Sequence, residues 1–436
     1  ISQPSNPWMA GVAALFTRDF FLAARDRLTP GGIFCQWAHT YDITDADLRS
    51  IAATFASVFP NGTLWLIGEA DVLFIASNDP LGPQLDGLAD EWQSPSVATD
   101  LAAVSVFDPF SLLSLYVAGP REMLRYSQGA FVQTDDHPLL EFSGPRGVYD
   151  RGGNENVATL RALLDPTRVP AALRTAQVAA GAREWRNRGQ MLLMAQAHAT
   201  AYDAFSRSVE LNPDDETALM GLVEAAGAGQ RLVEAQRVLE TAARARPRSS
   251  AVRIALARLL AATGAFDAAT ARAEEAITTE PDNPRGIEVL ASIFGDTGDV
   301  DRLRPLATRM QQTHPEREET WYYGALASFL DGNLREAIAR AQRVTEMNSQ
   351  HAAAHNLIGA ASATLRQRDR ARQAFRASLE ADPRDAATYT NLGLLEMESG
   401  NLDAAVAYFT ESLSLDPYGE LPRANLSAAL AALDRR

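Results

Sequence analysis

The chain has 436 residues, 46% hydrophobic and 22% charged, a composition that excludes a mainly disordered protein and favours two or more domains. Its 40 basic residues against 55 acidic ones give a net charge of −15, which disfavours a general nucleic-acid-binding surface. All the basic residues are arginine, which excludes Schiff-base and phosphate-binding lysines, and the single cysteine, Cys35, excludes an internal disulfide framework. No apolar run is long enough to span a membrane.

Strand and helix signals alternate through the first 80 residues. Thr44, with Asp47 three residues later, is a helix-start signal. The order strand, helix, strand, helix, hairpin predicts the second half of a doubly wound α/β sheet. The predicted elements are a strand stub at 1–3, a helix at Leu15–Leu28, a strand at Ile33–Trp37, a helix from Thr44 to Pro60, and strands at Thr63–Ile67 and Val72–Ala76.

Short elements are predicted between this sheet and the second half of the chain. The glycine-rich run at 144–153 reads as the clearest linker, and residues 147–181 as a linker with connecting helices. The predicted elements are helices around Leu101–Val106, Ser111–Val117 and Arg121–Tyr126, a closing strand at Leu139–Phe142, and helices at Asn154–Leu164 and Ala171–Ala180.

From residue 182 onward the sequence repeats with a period of 34. Prolines mark six of seven equivalent positions, with Ser349 at the seventh, and small residues recur at fixed distances before them. Each unit predicts two amphipathic helices, such as Ala386–Ser399 and Leu402–Leu415, separated by a glycine turn. The prolines are Pro213, Pro247, Pro281, Pro315, Pro383 and Pro417.

The period, the small-residue spacing and the terminal proline resemble the tetratricopeptide repeat family. The resemblance covers seven units over residues 182–419, with residues 420–436 as a C-terminal capping helix. It implies an all-α solenoid whose concave groove binds a protein or peptide partner.

The front of the chain carries a second resemblance. The segments Ser2–Trp8 and Pro30–Gln36, together with Thr134–Phe142, resemble spermidine synthases and related polyamine aminopropyltransferases. The resemblance covers residues 1–146. It implies the C-terminal half of a class I methyltransferase-like Rossmann domain, a polyamine substrate and decarboxylated S-adenosylmethionine as cosubstrate. Residues 1–150 have 7 arginines and 18 acidic residues, which suits a cationic ligand or a solvated acidic surface.

Three amides occupy the family's substrate-site positions. Gln3 falls at the general-base aspartate and Asn6 at the second aspartate, while Gln36 matches the substrate-contacting glutamine. An amide cannot take a proton at neutral pH but still hydrogen-bonds an amine. The glycine-rich turn and acidic residue that bind the cofactor in the family would precede Ile1. We therefore expect this chain alone to bind no cofactor and to be inactive, and expect a longer polypeptide.

Other residues suggest weaker sites. Cys35 with His39 suggests a thiol nucleophile, Asp135-Asp136-His137 a metal site, and His351 with His355 a metal pair on a helix start. Each also has a structural interpretation: a buried strand cysteine, a polar turn, and packing or solvent-facing histidines. The sequence predicts no metal site.

Two other functions remain open beside a degenerate aminopropyltransferase fused to a repeat array. The first is a non-catalytic scaffold or adaptor, and the second an S-adenosylmethionine-dependent methyltransferase-like enzyme, which Ser5–Trp8 also echoes. With no signal or membrane span in the sequence, we expect a cytoplasmic protein, and a membrane tether before Ile1 stays open.

Overall fold

The computed structural model describes residues 1–4, 11–147 and 153–434. Asn6 and Trp8 lie outside the described residues, as does part of the predicted linker. The chain forms two compact units, residues 1–247 and 248–436. The first contains a sheet, its covering helices and two helical hairpins, and the second is entirely helical.

A four-stranded sheet organises the front of the first unit. Its strand order is β1-β3-β2-β4, and each pair of neighbours is antiparallel. The structure confirms the strand predicted at Ile33 and the hairpin formed by the second and third strands. The fourth strand was not predicted, and its first two residues fall in the helix predicted at Ser111–Val117. The strands are β1 Ile33–His39, β2 Thr63–Ile67, β3 Asp71–Ser77 and β4 Tyr116–Ala118.

The pairing shows a small antiparallel sheet, and its assignment to the second half of a doubly wound sheet remains a prediction. Antiparallel pairing follows from the tight turn between β2 and β3, since parallel strands need a long crossover. One parallel contact occurs among the described residues, an isolated bridge between Ser2 and Gln36. There Ser2 N–H donates to the Cys35 carbonyl at 2.8 Å, and Trp37 N–H donates to the Ser2 carbonyl at 2.9 Å.

Ten α-helices and a short 3₁₀ helix at Ala13–Phe16 accompany the sheet among the described residues before 182. The start predicted at Thr44 is confirmed, because its hydroxyl accepts the Asp47 N–H. The helices are α1 Arg18–Arg25, α2 Asp45–Val58, α3 Gly82–Asp86, α4 Leu88–Glu91, α5 Pro95–Ala102, α6 Pro109–Leu113, α7 Pro120–Tyr126, α8 Leu139–Gly147, α9 Gly153–Arg161 and α10 Ala171–Ala179.

Three predictions in this region are wrong. The helix predicted around Leu101–Val106 lies earlier in the chain, at Pro95–Ala102. The segment Leu139–Phe142 opens helix α8 rather than a closing strand, because the buried Gln133 amide oxygen accepts the Leu140 N–H and fixes a helical start. A short apolar run does not by itself distinguish a strand from a helix. The helix predicted at Ser111–Val117 ends at Leu113, and Tyr116 then pairs with β2.

The sheet carries a core on both faces. On one face, Phe34 and Phe74 pack with Phe21, Phe55 and Phe59 from neighbouring helices, and all five rings are buried. On the other face, a smaller cluster joins the sheet to α6 and α10. Its buried members are Trp65, Leu113, Tyr116, Val169 and Leu173.

Helical hairpins with a 34-residue spacing follow in both units. The predicted repeat helices are confirmed, including the end of the last pair at Leu415. The first unit contains α11 Ala182–Met194, α12 His198–Leu211, α13 Glu216–Ala228 and α14 Leu232–Ala245. The second contains α15 Ser250–Ala262, α16 Phe266–Thr279, α17 Pro284–Asp296, α18 Val300–Thr313, α19 Glu318–Leu330, α20 Leu334–Met347, α21 Ala352–Thr364, α22 Arg368–Ala381, α23 Ala386–Glu398, α24 Leu402–Leu415 and α25 Glu420–Leu433.

Candidate peptide-binding site on the helical repeats

The first helices of the hairpins form one layer of the second unit. Each of α15, α17, α19 and α21 contacts the first helix of the next hairpin, and α23 contacts the final helix, α25. The second helices of neighbouring hairpins are not in comparable contact. The first helices therefore lie on the inner, concave side of this unit, the side that helical repeat proteins use for binding.

Close approach within the last two hairpins depends on glycine. In the last hairpin a Cβ placed on Gly393 would lie 2.5 Å from the Phe409 ring, and Gly359 faces Phe375 in the hairpin before it. Both phenylalanines are buried. Since there is no room for a larger side chain, the glycines fix how near the two helices lie and so how the inner face is shaped.

A cavity of about 660 Å³ opens on this inner face between α21 and α23. Its volume is in the range of small-ligand and peptide pockets. Its lining is half apolar, from alanine, leucine and phenylalanine, and half polar or charged, from threonine, asparagine, arginine and glutamate. The lining residues are Ala360, Ala363, Thr364, Arg366, Arg368, Phe375, Asn391, Leu394, Leu395 and Glu398.

Three side-chain hydrogen bonds hold the helices beside this cavity. Asn391 Nδ2 donates to Asn356 Oδ1 at 2.8 Å and so links α23 to α21. Glu396 accepts from Arg372 Nε at 2.7 Å and from Asn401 Nδ2 at 2.6 Å. The hydrogen bond from Arg372 lowers the pKa of the buried Glu396 carboxyl, which stays ionised at neutral pH.

Arginines stand at the polar end of the cavity. Arg366 closes α21 in the left-handed region with a φ of 60°, and Arg368 begins α22. Both side chains are exposed, and Arg368 donates to the Glu398 main-chain carbonyl at 3.4 Å. The cavity therefore combines apolar side chains with guanidinium donors, which can bind an extended peptide and orient an acidic group on it.

The structure brings two of the three predicted substrate-site segments together. Gln36 lies fully buried on β1, opposite Ser2, and its Nε2 donates to the Trp37 carbonyl at 3.1 Å. Gln36 Oε1 has no hydrogen-bond partner among the described residues. Gln3 follows Ser2 directly and is exposed. Asn6 lies outside the described residues, so the predicted three-amide site stays a prediction.

The thiol-nucleophile hypothesis for Cys35 fails on geometry. Cys35 and His39 lie four residues apart on β1, a separation of about 13 Å along a strand, which is too far for a hydrogen bond. Burial also raises the pKa of the Cys35 thiol, whereas a nucleophilic cysteine needs a lowered one. Burial lowers the pKa of His39 to about 4.

The other suggested metal residues have structural partners. Asp135 accepts the Thr17 hydroxyl at 2.6 Å, in a turn that Thr134 and His137 close. His351 caps α21 by accepting the Ala354 N–H at 3.2 Å, and the His355 ring lies 3.0 Å from the Ser349 carbonyl. Within the described ranges, no group of three or more histidine, cysteine or acidic side chains is placed to hold a metal ion.

The sequence reasoning missed the arginines of the cavity. A usable signal was the charge at this position, because it is glycine in four other repeats, at Gly264, Gly298, Gly332 and Gly400, and the neutral glutamine in two, at Gln196 and Gln230. Arg366 is the charged residue of this set, next to two further arginines at 368 and 370.

The hairpins and their inner face define an α-helical repeat protein. Two tetratricopeptide repeat family models match the chain, one over residues 226–293 and the other over residues 363–420. The chain therefore contains tetratricopeptide repeats. No curated protein matches it in sequence. In the described part of the chain, none of the helices has both the length and the apolar character needed to cross a bilayer.

Several solved structures are similar to part of the chain. A tetratricopeptide repeat protein from Parabacteroides merdae is 11% identical, with 57% of this chain and 98% of that one covered and a TM-score of 0.46. A chain of the APC/C hetero-tetramer Cut9–Hcn1 is 16% identical, with 65% and 64% covered and a TM-score of 0.45. MamA is 22% identical over 37% of this chain and 95% of that one, with a TM-score of 0.30.

Proposed function

We propose that the chain is a non-catalytic adaptor that binds an extended segment of a partner protein on the inner face of its tetratricopeptide repeats. The observation that carries this proposal is the cavity between α21 and α23, which lies on the layer of first helices. Peptide binding needs an apolar wall for side chains and amide groups for the main chain, and Leu394 and Asn391 supply both there.

Blocking the cavity tests this function. Peptides are selected on the full chain from a random peptide library, and their affinities are measured by fluorescence anisotropy. The variant Ala360→Trp fills the inner face, and Ala407→Trp places the same side chain on an exposed position of α24. We expect the first variant to abolish binding and the second to leave it unchanged. Equal binding by both variants, or no selected peptide, rejects the adaptor function at this site.

A second candidate function concerns the front of the chain. We propose that residues 1–77 are the second half of a doubly wound sheet of the spermidine synthase type. The supporting observations are the parallel bridge from Ser2 to Gln36 and the position of β3 between β1 and β2, so that Gln3 lies beside the strand of Gln36. Amide oxygens there can accept from a protonated amine.

Calorimetric titration of the full chain with putrescine and with spermidine tests this second candidate. We expect millimolar binding of the amine, tightened by Gln3→Asp, since a carboxylate attracts a cation more strongly than an amide does. Gln93→Asp adds the same charge at an exposed position outside the sheet and serves as the control. No heat at millimolar amine, or equal tightening by both variants, contradicts a polyamine site at Gln3.

A further inference from the structure

The turn between α21 and α22 concentrates positive charge on an acidic protein. Residues 366–376 contain five arginines and one aspartate, a net charge of +4 in a chain of net −15. Arg372 is held by two carboxylates. Arg366, Arg368 and Arg370 are exposed, and among the described residues none of them forms an ion pair with a carboxylate. Three guanidinium groups are therefore available to an incoming anion.

The left-handed turn after α21 presents the Arg366 side chain beside the cavity. Arg366 has a φ of 60°; the same position is glycine in four repeats, with φ values between 70° and 81°, and glutamine in two, Gln196 and Gln230, with a φ of 56°. The turn therefore accepts a long side chain despite its strain, and Arg366 differs from the two glutamines by its positive charge. Glycine here would fit the turn better but would remove a cation from the cavity.

The cations are next to the apolar wall rather than isolated on the surface. Arg366 and Arg368 line the same cavity as Ala360 and Leu394. One carboxylate, that of Glu398, also lines it, so the lining has two positive charges against one negative charge. An arginine fork binds a carboxylate through two parallel hydrogen bonds, which favours an acidic side chain over a neutral amide.

We propose that this cavity binds an extended acidic segment of a partner protein, with a small apolar side chain against Leu394 and aspartate or glutamate side chains on Arg366 and Arg368. The inference rests on the proposed adaptor function and adds the chemistry of the partner. Charge complementarity selects the partner, because the net charge of −15 over the whole chain disfavours a general anion-binding role. The arginines attract carboxylates only near the cavity, within about 8 Å at physiological salt.

A matched pair of peptides tests this partner chemistry on the full chain. One is a labelled twelve-residue peptide that alternates glutamate with alanine and leucine, and the other has glutamine in place of every glutamate. We expect the acidic peptide to bind at least tenfold more tightly, and its affinity to fall as salt is raised. A single-stranded oligonucleotide of equal charge is the competitor for the other class of anion.

Single-residue variants locate the effect. Arg366→Gly removes the guanidinium and relieves the backbone strain, so we expect the melting temperature to stay or rise while acidic-peptide affinity falls about tenfold. Arg368→Gln gives a similar loss. Arg376→Gln removes an exposed charge from the same helix outside the cavity and changes affinity less than twofold.

Three results overturn the proposal. They are equal binding of the two peptides, unchanged affinity in both cavity variants, and an oligonucleotide that competes as well as the acidic peptide. If library peptides bind the inner face and are blocked by Ala360→Trp but show no acidic preference, the adaptor function stands and the proposed partner chemistry is wrong. If no peptide binds at all, both fail.

Discussion

The sheet at the front of the chain and the repeats behind it are stabilised over different distances along the sequence. In the sheet, β1 lies beside β3 and β4 pairs back to β2, so the aromatic core joins residues far apart in the chain. In the repeats, each helix packs mainly on the helices before and after it. A defect in the sheet should therefore spread through its whole core, whereas a defect in a repeat should stay local.

The largest expected effect comes from Phe55→Ala in the sheet core. The Phe55 ring is fully buried, with its centroid 5.3 Å from that of Phe74 and 5.0 Å from that of Phe59. Removing it leaves a cavity, so we expect the free energy of unfolding to fall by about 3–5 kcal/mol. Urea unfolding measures this loss, and hydrogen exchange should show weaker protection in all four strands.

Phe142→Ala is the matched control for that experiment. Phe142 is 69% exposed, so the same truncation should change the stability by less than about 0.5 kcal/mol. Loss of protection confined to α2 in the Phe55 variant would contradict a sheet core that behaves as one unit.

The same contrast explains what the sequence could predict. The repeats were predicted almost to the residue, because each hairpin repeats its own small residues and turns every 34 positions and depends on near neighbours. The sheet was only partly predicted. Its three-residue strand at Tyr116 forms because it pairs with β2, and the helix at Leu139 begins because the Gln133 side chain accepts the Leu140 N–H. Neither contact produces a recognisable pattern in the neighbouring sequence.

The candidate site divides in the same way. The 34-residue period predicts the inner face and its concave groove, because it identifies the first helix of each hairpin. The cavity itself depends on which side chains meet across two hairpins, as Asn391 meets Asn356. Cys35 and His351 have reactive side chains, which suggested sites in the sequence. In the structure, burial raises the pKa of the Cys35 thiol, and His351 caps helix α21.

The second-largest effect is a pH dependence confined to the sheet region. His39 is fully buried, with its ring stacked 4.7 Å from Tyr41, and burial lowers its pKa to about 4 from 6.5. Below pH 6.5 the unfolded chain takes up a proton that the folded chain resists. The stability is therefore complete above that pH and falls as the pH drops towards 4.

At pH 5 this loss amounts to about 2 kcal/mol. Urea unfolding of the first unit between pH 7.5 and pH 5 measures it. The isosteric variant His39→Asn has no titrating group and should flatten the profile, while His137→Asn, which replaces an exposed histidine, should not. An unchanged slope in His39→Asn would assign the pH dependence to another group.

A smaller effect is expected from alanine in place of a repeat glycine. Gly221 and Gly227 lie on the same helix, α13, so one substitution can be compared in two settings. A Cβ on Gly221 would overlap the Phe205 ring, whereas one on Gly227 meets nothing within 4 Å. We expect Gly221→Ala to cost about 1–3 kcal/mol through overpacking. Gly227→Ala should stabilise the helix by about 0.5–1 kcal/mol.

Hydrogen exchange on these two variants sharpens the comparison of the regions. Lost protection in Gly221→Ala should be restricted to α11, α12 and α13, which surround the Phe205 ring, and β1 to β4 should keep theirs. Spreading of the loss into the sheet would show that the first two hairpins and the sheet unfold together, and would limit local behaviour to the second unit.

The smallest expected effect tests how local the polar contacts of the repeats are. Glu396→Gln removes the charge that Arg372 holds at 2.7 Å, and we expect a loss of about 1–2 kcal/mol, because a charge-assisted hydrogen bond becomes a neutral one. The lowered pKa of Glu396 sets the pH dependence of the stability: the contribution of this residue is complete above about pH 4.5 and disappears as the pH falls through the folded-state pKa.

Glu398→Gln, two residues away and exposed, should change the stability by less than about 0.5 kcal/mol. Chemical denaturation of the wild type and both variants at pH 7 and pH 3 separates these outcomes. Equal losses in the two variants would mean that the contact with Arg372 adds nothing beyond surface charge.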